Sequence, residues 1–140
     1  RAYQVYGPKQ DNNRLIPIVI TNCLKNKSFP CSEGNQLRDF LYIDDFVSAI
    51  YKTLENKKAI GKIINIGYGK AYKVKDVINT IRDIIKKGKP KFGIIDLRKD
   101  EKQILFPSIK KASKILNWKP KINFSKGIKK TITDYKKNIL

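Results

Sequence analysis

Histidine is absent from this 140-residue chain, which removes every His-based general base and every His-ligated metal centre. Cysteine is scarce. Cys23 and Cys31 are too few and too far apart for a thiolate zinc site, and two reduced thiols fit a cytoplasmic protein. No metal is expected. Methionine is also absent, so Arg1 is not a natural start, and the expectation is a piece of a longer protein. The opening Arg1-Ala2-Tyr3-Gln4-Val5-Tyr6 lacks the apolar core of a signal peptide. No apolar run approaches the ~18–20 residues that span a bilayer, so no membrane partner is expected. Reaction chemistry is missing too. There is no Ser/His/Asp set, no Tyr-x-x-x-Lys pair, no Walker loop and no paired-carboxylate site, so no catalytic residue is expected in this chain.

Arginine is the minority cation. The chain carries 31 basic against 12 acidic residues, a formal charge of +19, which raises the question of a nucleic-acid partner. Only Arg1, Arg14, Arg38, Arg82 and Arg98 are arginines. The lysines are scattered and thickest where helices and turns end, as in Lys57-Lys58, Lys86-Lys87, Lys110-Lys111 and Lys136-Lys137. Lysine there complements the helix dipole. The charge therefore reads as a solvated lysine-rich surface, since charge alone sets no groove recognition. The rival reading is a basic, non-enzymatic nucleic-acid-binding module.

What is present is an alternation of strand and helix signals. Residues 1–6 read as a strand ended by Gly7-Pro8. Leu15, Ile16, Val19, Ile20, Cys23 and Leu24 fall at helical spacing, with Asn13 as the expected cap and Pro17 in the first turn. A short extended piece at 28–31 precedes a strand over 37–43. Asp44 is expected to cap a helix whose inner face is Val47, Ile50, Tyr51 and Leu54. Residues 62–67 read as a buried strand, 74–86 as an amphipathic helix, and Phe92 to Leu97 as a strand. Residues 98–108 read as irregular, with a short apolar piece at Ile104-Leu105-Phe106. A short helix over 109–116 and a last one capped by Ser125 complete the order. The class is mixed α/β, a single unit over 1–140.

Gly67-Tyr68-Gly69 sits between strand and helix, where a dinucleotide loop would lie. Position 72 is Tyr where a third glycine belongs, so a tight turn is the better reading. Arg38 follows the Gly34 turn and heads an apolar strand. Its planar fork suits a diphosphate, or an ion pair with Asp39, Asp44 or Asp45. Asp44 and Asp45 read as cap and first-turn acid. Arg14 stands at a helix start, where a cation is unfavourable and a bound anion would relieve it. Arg98 and Asp100 lie in the charged segment, which reads as a solvated loop.

Five fragments, in order, resemble the C-terminal part of the NAD-dependent epimerase/dehydratase family, the extended short-chain dehydrogenases that act on nucleotide sugars. Val5-Tyr6-Gly7-Pro8 resembles "N-x-Y-G-P", and Arg14-Leu15-Ile16-Pro17 resembles "(K/N)-L-I-P". Gly34 to Asp45 is close to "G-x-Q-x-R-D-F-x-Y-V-x-D". Asn65-Ile66-Gly67 resembles "N-I-G", and Lys111 to Pro120 resembles "S-K-A-x-x-x-L-G-W-x-P".

The resemblance implies a nucleotide-sugar-binding domain over 1–140. Residues 1–8 and about 37–67 would contribute strands to a Rossmann half that is largely absent here. That half would hold NAD or NADP and supply the catalytic Tyr and Lys; none of the cofactor is expected on this chain alone, which is expected to be inert by itself. The ligand implied is a nucleotide-diphosphate sugar, and the parent a possible homodimer. By position, Arg38 would bind the diphosphate, Arg14 and Leu15 would lie along the nucleotide, and Arg98 with Asp100 would reach ribose or phosphate. Gln4 replaces the family Asn as phosphate contact, Cys31 replaces a stacking aromatic, Ser108 replaces an acid, and Asn117 replaces the Gly before Trp118.

Overall fold

In a computed structural model, which describes residues 1–139, the run Leu37–Tyr42 forms the strand on which the rest is hung. In chain order the elements are β1 (Gln4–Tyr6), α1 (Leu15–Leu24), β2 (Ser28–Pro30), β3 (Leu37–Tyr42), α2 (Ile43–Glu55), a 3₁₀ turn (Lys57–Ala59), β4 (Ala71–Lys73), α3 (Val74–Ile85), β5 (Lys89–Lys91), β6 (Ile104–Leu105), α4 (Lys110–Leu116) and α5 (Phe124–Ile139). The second half of β3 pairs in parallel with β1, Gln4 opposite Phe40. Its first half lies between β4, antiparallel with Arg38 opposite Tyr72, and β6, parallel with Arg38 opposite Leu105. β2 and β5 form a separate parallel pair. The class is α/β, as the order of signals predicts.

Two cores flank β3. The larger joins α1, α3 and α5 around Tyr6, Phe40 and Tyr42. The amphipathic stripe of α3 buries Val77, Ile78 and Ile81 at 2% exposure or less, each contributing ~1.5–3 kcal/mol. The smaller core collects Leu41, Ala49, Ile64, Ile66, Leu116 and Trp118. Leu41 faces it because successive strand side chains alternate sides. Asn117 takes a left-handed conformation, φ 48° and ψ 43°, which Asn tolerates, so it can end α4 in place of glycine.

Several elements depart from expectation. Val47, Ile50, Tyr51 and Leu54 are exposed, Leu54 at 78%; α2 turns Asp45 and Ala49 inward instead. Periodicity tells which face is apolar, not what covers it. Tyr42 holds the cap position and Asp44 sits inside the first turn, where a carboxylate still favours the dipole. Arg14, not Asn13, occupies the cap of α1. Asn123 accepts the Lys126 N–H at 2.9 Å, the cap role expected of Ser125. Residues 92–97 are no strand. Pairing stops at Lys91, and the Ile94 and Ile95 N–H groups both donate to the Cys31 carbonyl, folding the chain back. Residues 62–67 make no strand but a single parallel bridge, Ala2 with Ile66, in which the Tyr3 N–H donates to the Ile66 carbonyl at 3.0 Å and the Ile66 N–H to the Arg1 carbonyl at 2.8 Å.

Candidate functional site

The Gly34 turn sets Arg38 in place. Gly34 has φ +72°, and a Cβ there would come within 2.9 Å of the Lys75 backbone nitrogen, whose N–H donates to the Gly34 carbonyl at 2.9 Å. The turn therefore locks the entry of β3 onto the start of α3. Four residues on, Arg38 is 4% exposed and lies at the side of a cleft of about 740 Å³ between β1, the start of α1 and β3. Gln4, Gln10, Arg14, Leu15, Phe40 and Leu105 also line it.

Arg38 Nη1 donates to the Leu37 carbonyl at 2.8 Å, and Nη2 donates to Glu101 Oε1. The three nearby aspartates are committed elsewhere. Asp39 accepts the Tyr68 N–H at 2.8 Å and the Gly69 N–H at 2.6 Å. Asp44 meets Lys130 at 3.2 Å. Asp45 accepts the Lys121 and Ile122 N–H groups at 3.0 and 2.8 Å. Glu101 was not among the expected partners. It lies 63 residues from Arg38, and the pairing of β6 with β3 brings it there; the apolar piece 104–106 is visible in the sequence, its strand partner is not.

The cleft joins four of the expected site residues. Arg14 is exposed at the start of α1, with no acid in that helix's first turn; Leu15 is half-buried behind it, and Gln4 is exposed opposite Phe40. Cys31 is elsewhere, 6% exposed in the larger core, and burial pushes its thiol pKa up. Arg98 and Asp100 are exposed on the segment before β6 and do not line the cleft.

Gln10 is the residue the sequence reading missed. Its Nε2 donates to the Val5 carbonyl at 2.8 Å, and its buried Oε1 has no protein partner, leaving an acceptor at the cleft wall. Tyr6 also borders the cleft, yet its hydroxyl donates to the Phe124 carbonyl. Burial holds its pKa far above the ordinary value, so it is no base. Three arginines (Arg1, Arg14 and Arg38), the amides of Gln4, Gln10 and Asn13, and apolar Leu15 and Leu105 suit an anionic ligand with polar groups; they supply no acid–base pair.

The Gly67-Tyr68-Gly69 turn does not fit a dinucleotide phosphate, because the Tyr68 and Gly69 N–H groups a phosphate would need are taken by Asp39. Among the described residues no cluster of His, Cys, Asp or Glu could hold a metal ion, and no helix is long and apolar enough to cross a membrane.

Comparison with known proteins bears on this cleft. The family model described as "NAD dependent epimerase/dehydratase family" matches residues 1–67. CDP-abequose synthase of Salmonella typhimurium is 33% identical over 94% of this chain and 46% of its own length. dTDP-glucose 4,6-dehydratase 1 of Escherichia coli K12 is 34% identical over 95% of this chain and 39% of its own length. The chain thus spans less than half the length of these curated relatives. Among solved structures, UDP-glucose 4-epimerase of Thermotoga maritima with UDP-glucose superposes with a TM-score of 0.92 at 26% identity, over all of this chain and 46% of that one. UDP-glucuronic acid 4-epimerase of Bacillus cereus, in complex with UDP-glucuronic acid and NAD, gives 0.90 at 30% identity, over 99% and 44%.

Proposed function

We propose that this chain, whose residues 1–67 match the NAD dependent epimerase/dehydratase family model, is the nucleotide-sugar-binding C-terminal portion of an enzyme that epimerises, dehydrates or reduces a nucleotide-diphosphate sugar. The observation that carries this reading is Arg38, buried at the side of a cleft that also presents Arg14, Gln4 and Leu15. Arg38 clamps the diphosphate through its planar fork. Arg14 adds a second positive charge at the start of α1, whose terminal N–H groups favour an anion. Gln4 offers an amide to a phosphate oxygen, and Leu15 lies along the nucleoside. Cys31, Arg98 and Asp100 stand near the nucleotide only by position in the family pattern, and their part is the least supported.

NAD or NADP belongs to residues outside this chain, because the one glycine turn of suitable placement spends its donors on Asp39. The cofactor supplies hydride transfer when bound, and a Tyr and Lys from that other part handle the proton. Residues 1–8 and about 37–67 contribute strands to the sheet of that part, and the parent works in the cytoplasm. Arg38→Ala in the full-length protein tests the reading. Nucleotide-sugar binding should weaken by ~1.5–3 kcal/mol, the worth of a hydrogen bond to a charged group. Unchanged affinity by calorimetry removes Arg38 from the site.

A further inference from the structure

We propose that Tyr135 of α5 is a positioning residue for Arg14: through Gln10 it braces the loop over residues 7–13, so that the Arg14 guanidinium meets the ligand's phosphates from a fixed place. The inference rests on Arg14 being a phosphate contact in the proposed function and adds a residue that acts on the ligand only through it.

The core fixes the body of α1, where Ile16, Val19 and Ile20 are buried, and leaves its start to the loop. Arg14 stands at the cap with extended backbone, and its side chain makes no capping hydrogen bond. Its place comes from a turn in which the Arg14 N–H donates to the Asp11 carbonyl at 3.1 Å. That turn lies in water: Lys9, Asp11, Asn12 and Asn13 are exposed. A loop with so few buried contacts opens easily, and ordering it costs conformational entropy.

Gln10 is where the loop is tied. Its carbonyl accepts the Tyr135 hydroxyl of α5 at 3.2 Å, and its Nε2 donates to the Val5 carbonyl of β1 at 2.8 Å. Tyr135 is 7% exposed and packs in the larger core, so its hydroxyl is offered from a rigid base. Burial pushes its pKa above the ordinary value, which keeps the proton available for donation. α5 is also bonded to β1, where the Tyr6 hydroxyl donates to the Phe124 carbonyl at 3.2 Å. One helix thus holds both the strand and the loop of the cleft. Apolar packing does not duplicate the Tyr135 tie, because an open groove of about 610 Å³, lined by Lys9, Asn12, Asn22 and Tyr135 among others, runs between the loop, α1 and α5. Without the hydroxyl the loop and the Arg14 at its end sample other places, and only the fraction in the binding position counts toward affinity.

The test uses the full-length protein and calorimetry with whichever of uridine, thymidine, cytidine and guanosine diphosphate the unaltered protein binds most tightly. Binding of none of them removes the proposed function and the brace together. Tyr135→Phe keeps the ring and removes the hydroxyl. If the loop then holds its place about one-third of the time, binding should weaken about threefold. A merely structural role would not make that loss depend on Arg14. In an Arg14→Ala background Tyr135→Phe should cost nothing further, because the two residues act as one unit. No loss in Tyr135→Phe, or the same fold loss in both backgrounds, overturns the proposal. Arg14→Ala alone separates it from the proposed function. A loss there with none in Tyr135→Phe sinks the brace alone, whereas no loss in Arg14→Ala sinks the phosphate contact and the brace with it. Should Tyr135→Phe fail to fold, Gln10→Met, which cuts the tie to Val5, goes through the same cycle and is judged by the same outcomes.

Discussion

Asp39 adjoins Arg38 on β3, yet the two do not pair, because neighbouring strand side chains point to opposite faces. Burial raises the Asp39 pKa above its ordinary 3.8, against the opposing pull of the Tyr68, Gly69 and Lys70 N–H groups. The folded state then holds the proton more tightly than the unfolded chain. Between the unfolded value and the raised folded one the native protein binds more protons, so this group's contribution to stability falls as pH rises through that window. Asp39→Asn should remove that downward slope. It should also cost ~1–3 kcal/mol, because an amide offers one acceptor oxygen to two N–H donors. Urea titrations across the acid range read both effects. A slope that survives in the variant would assign it to another group.

Among the elements, α5 is held by contacts that leave no room for a methyl group. A Cβ at Gly127 would stand 2.2 Å from the Tyr6 hydroxyl and 3.0 Å from Tyr42 Cδ2. Gly127→Ala must push Tyr6 away from the Phe124 carbonyl it bonds. The expected loss is ~1–3 kcal/mol, the range for overpacking a core, and equilibrium unfolding within error of wild type would show that α5 yields. α2 poses the opposite case. Val47, Ile50, Tyr51 and Leu54 form an apolar face exposed here, and an amphipathic helix normally buries that stripe. On the proposed reading the remainder of the protein covers it. Leu54→Asp should then destabilise the full-length protein by ~2–4 kcal/mol, the cost of charging a buried site. A change within ~0.5 kcal/mol, usual for a surface site, would leave the face in water.

At the scale of the whole molecule, the proposed reading gives this chain the nucleotide-sugar cleft and leaves the reaction chemistry to residues outside it. The purified 140-residue chain should therefore show no epimerase, dehydratase or reductase turnover with any nucleotide sugar and NAD or NADP; detectable turnover would overturn the proposed division of labour. The +19 charge is spread over many surface lysines, some tied locally, as Lys130 is to Asp44 and to the Tyr42 ring. The permanent guanidinium charges of Arg1, Arg14 and Arg38 converge on the cleft.

The stripes of α1, α3 and α5, the strand at Leu37–Tyr42 and the candidacy of Arg38 and Arg14 were legible in the sequence, because periodicity, turn chemistry and side-chain type are local. The short strands β4 and β6 were not, since two- and three-residue strands carry almost no periodic signal and exist by pairing with β3. Nor was the exposed side of α2, or the turn after β5. By itself the sequence determined which residues could clamp an anion and that no His stands beside them. Only the tertiary structure decided that Glu101, rather than Asp39, Asp44 or Asp45, faces Arg38. The physical reason is that β-pairing joins segments 63 residues apart, and backbone N–H groups and Lys130 claim the nearer carboxylates first.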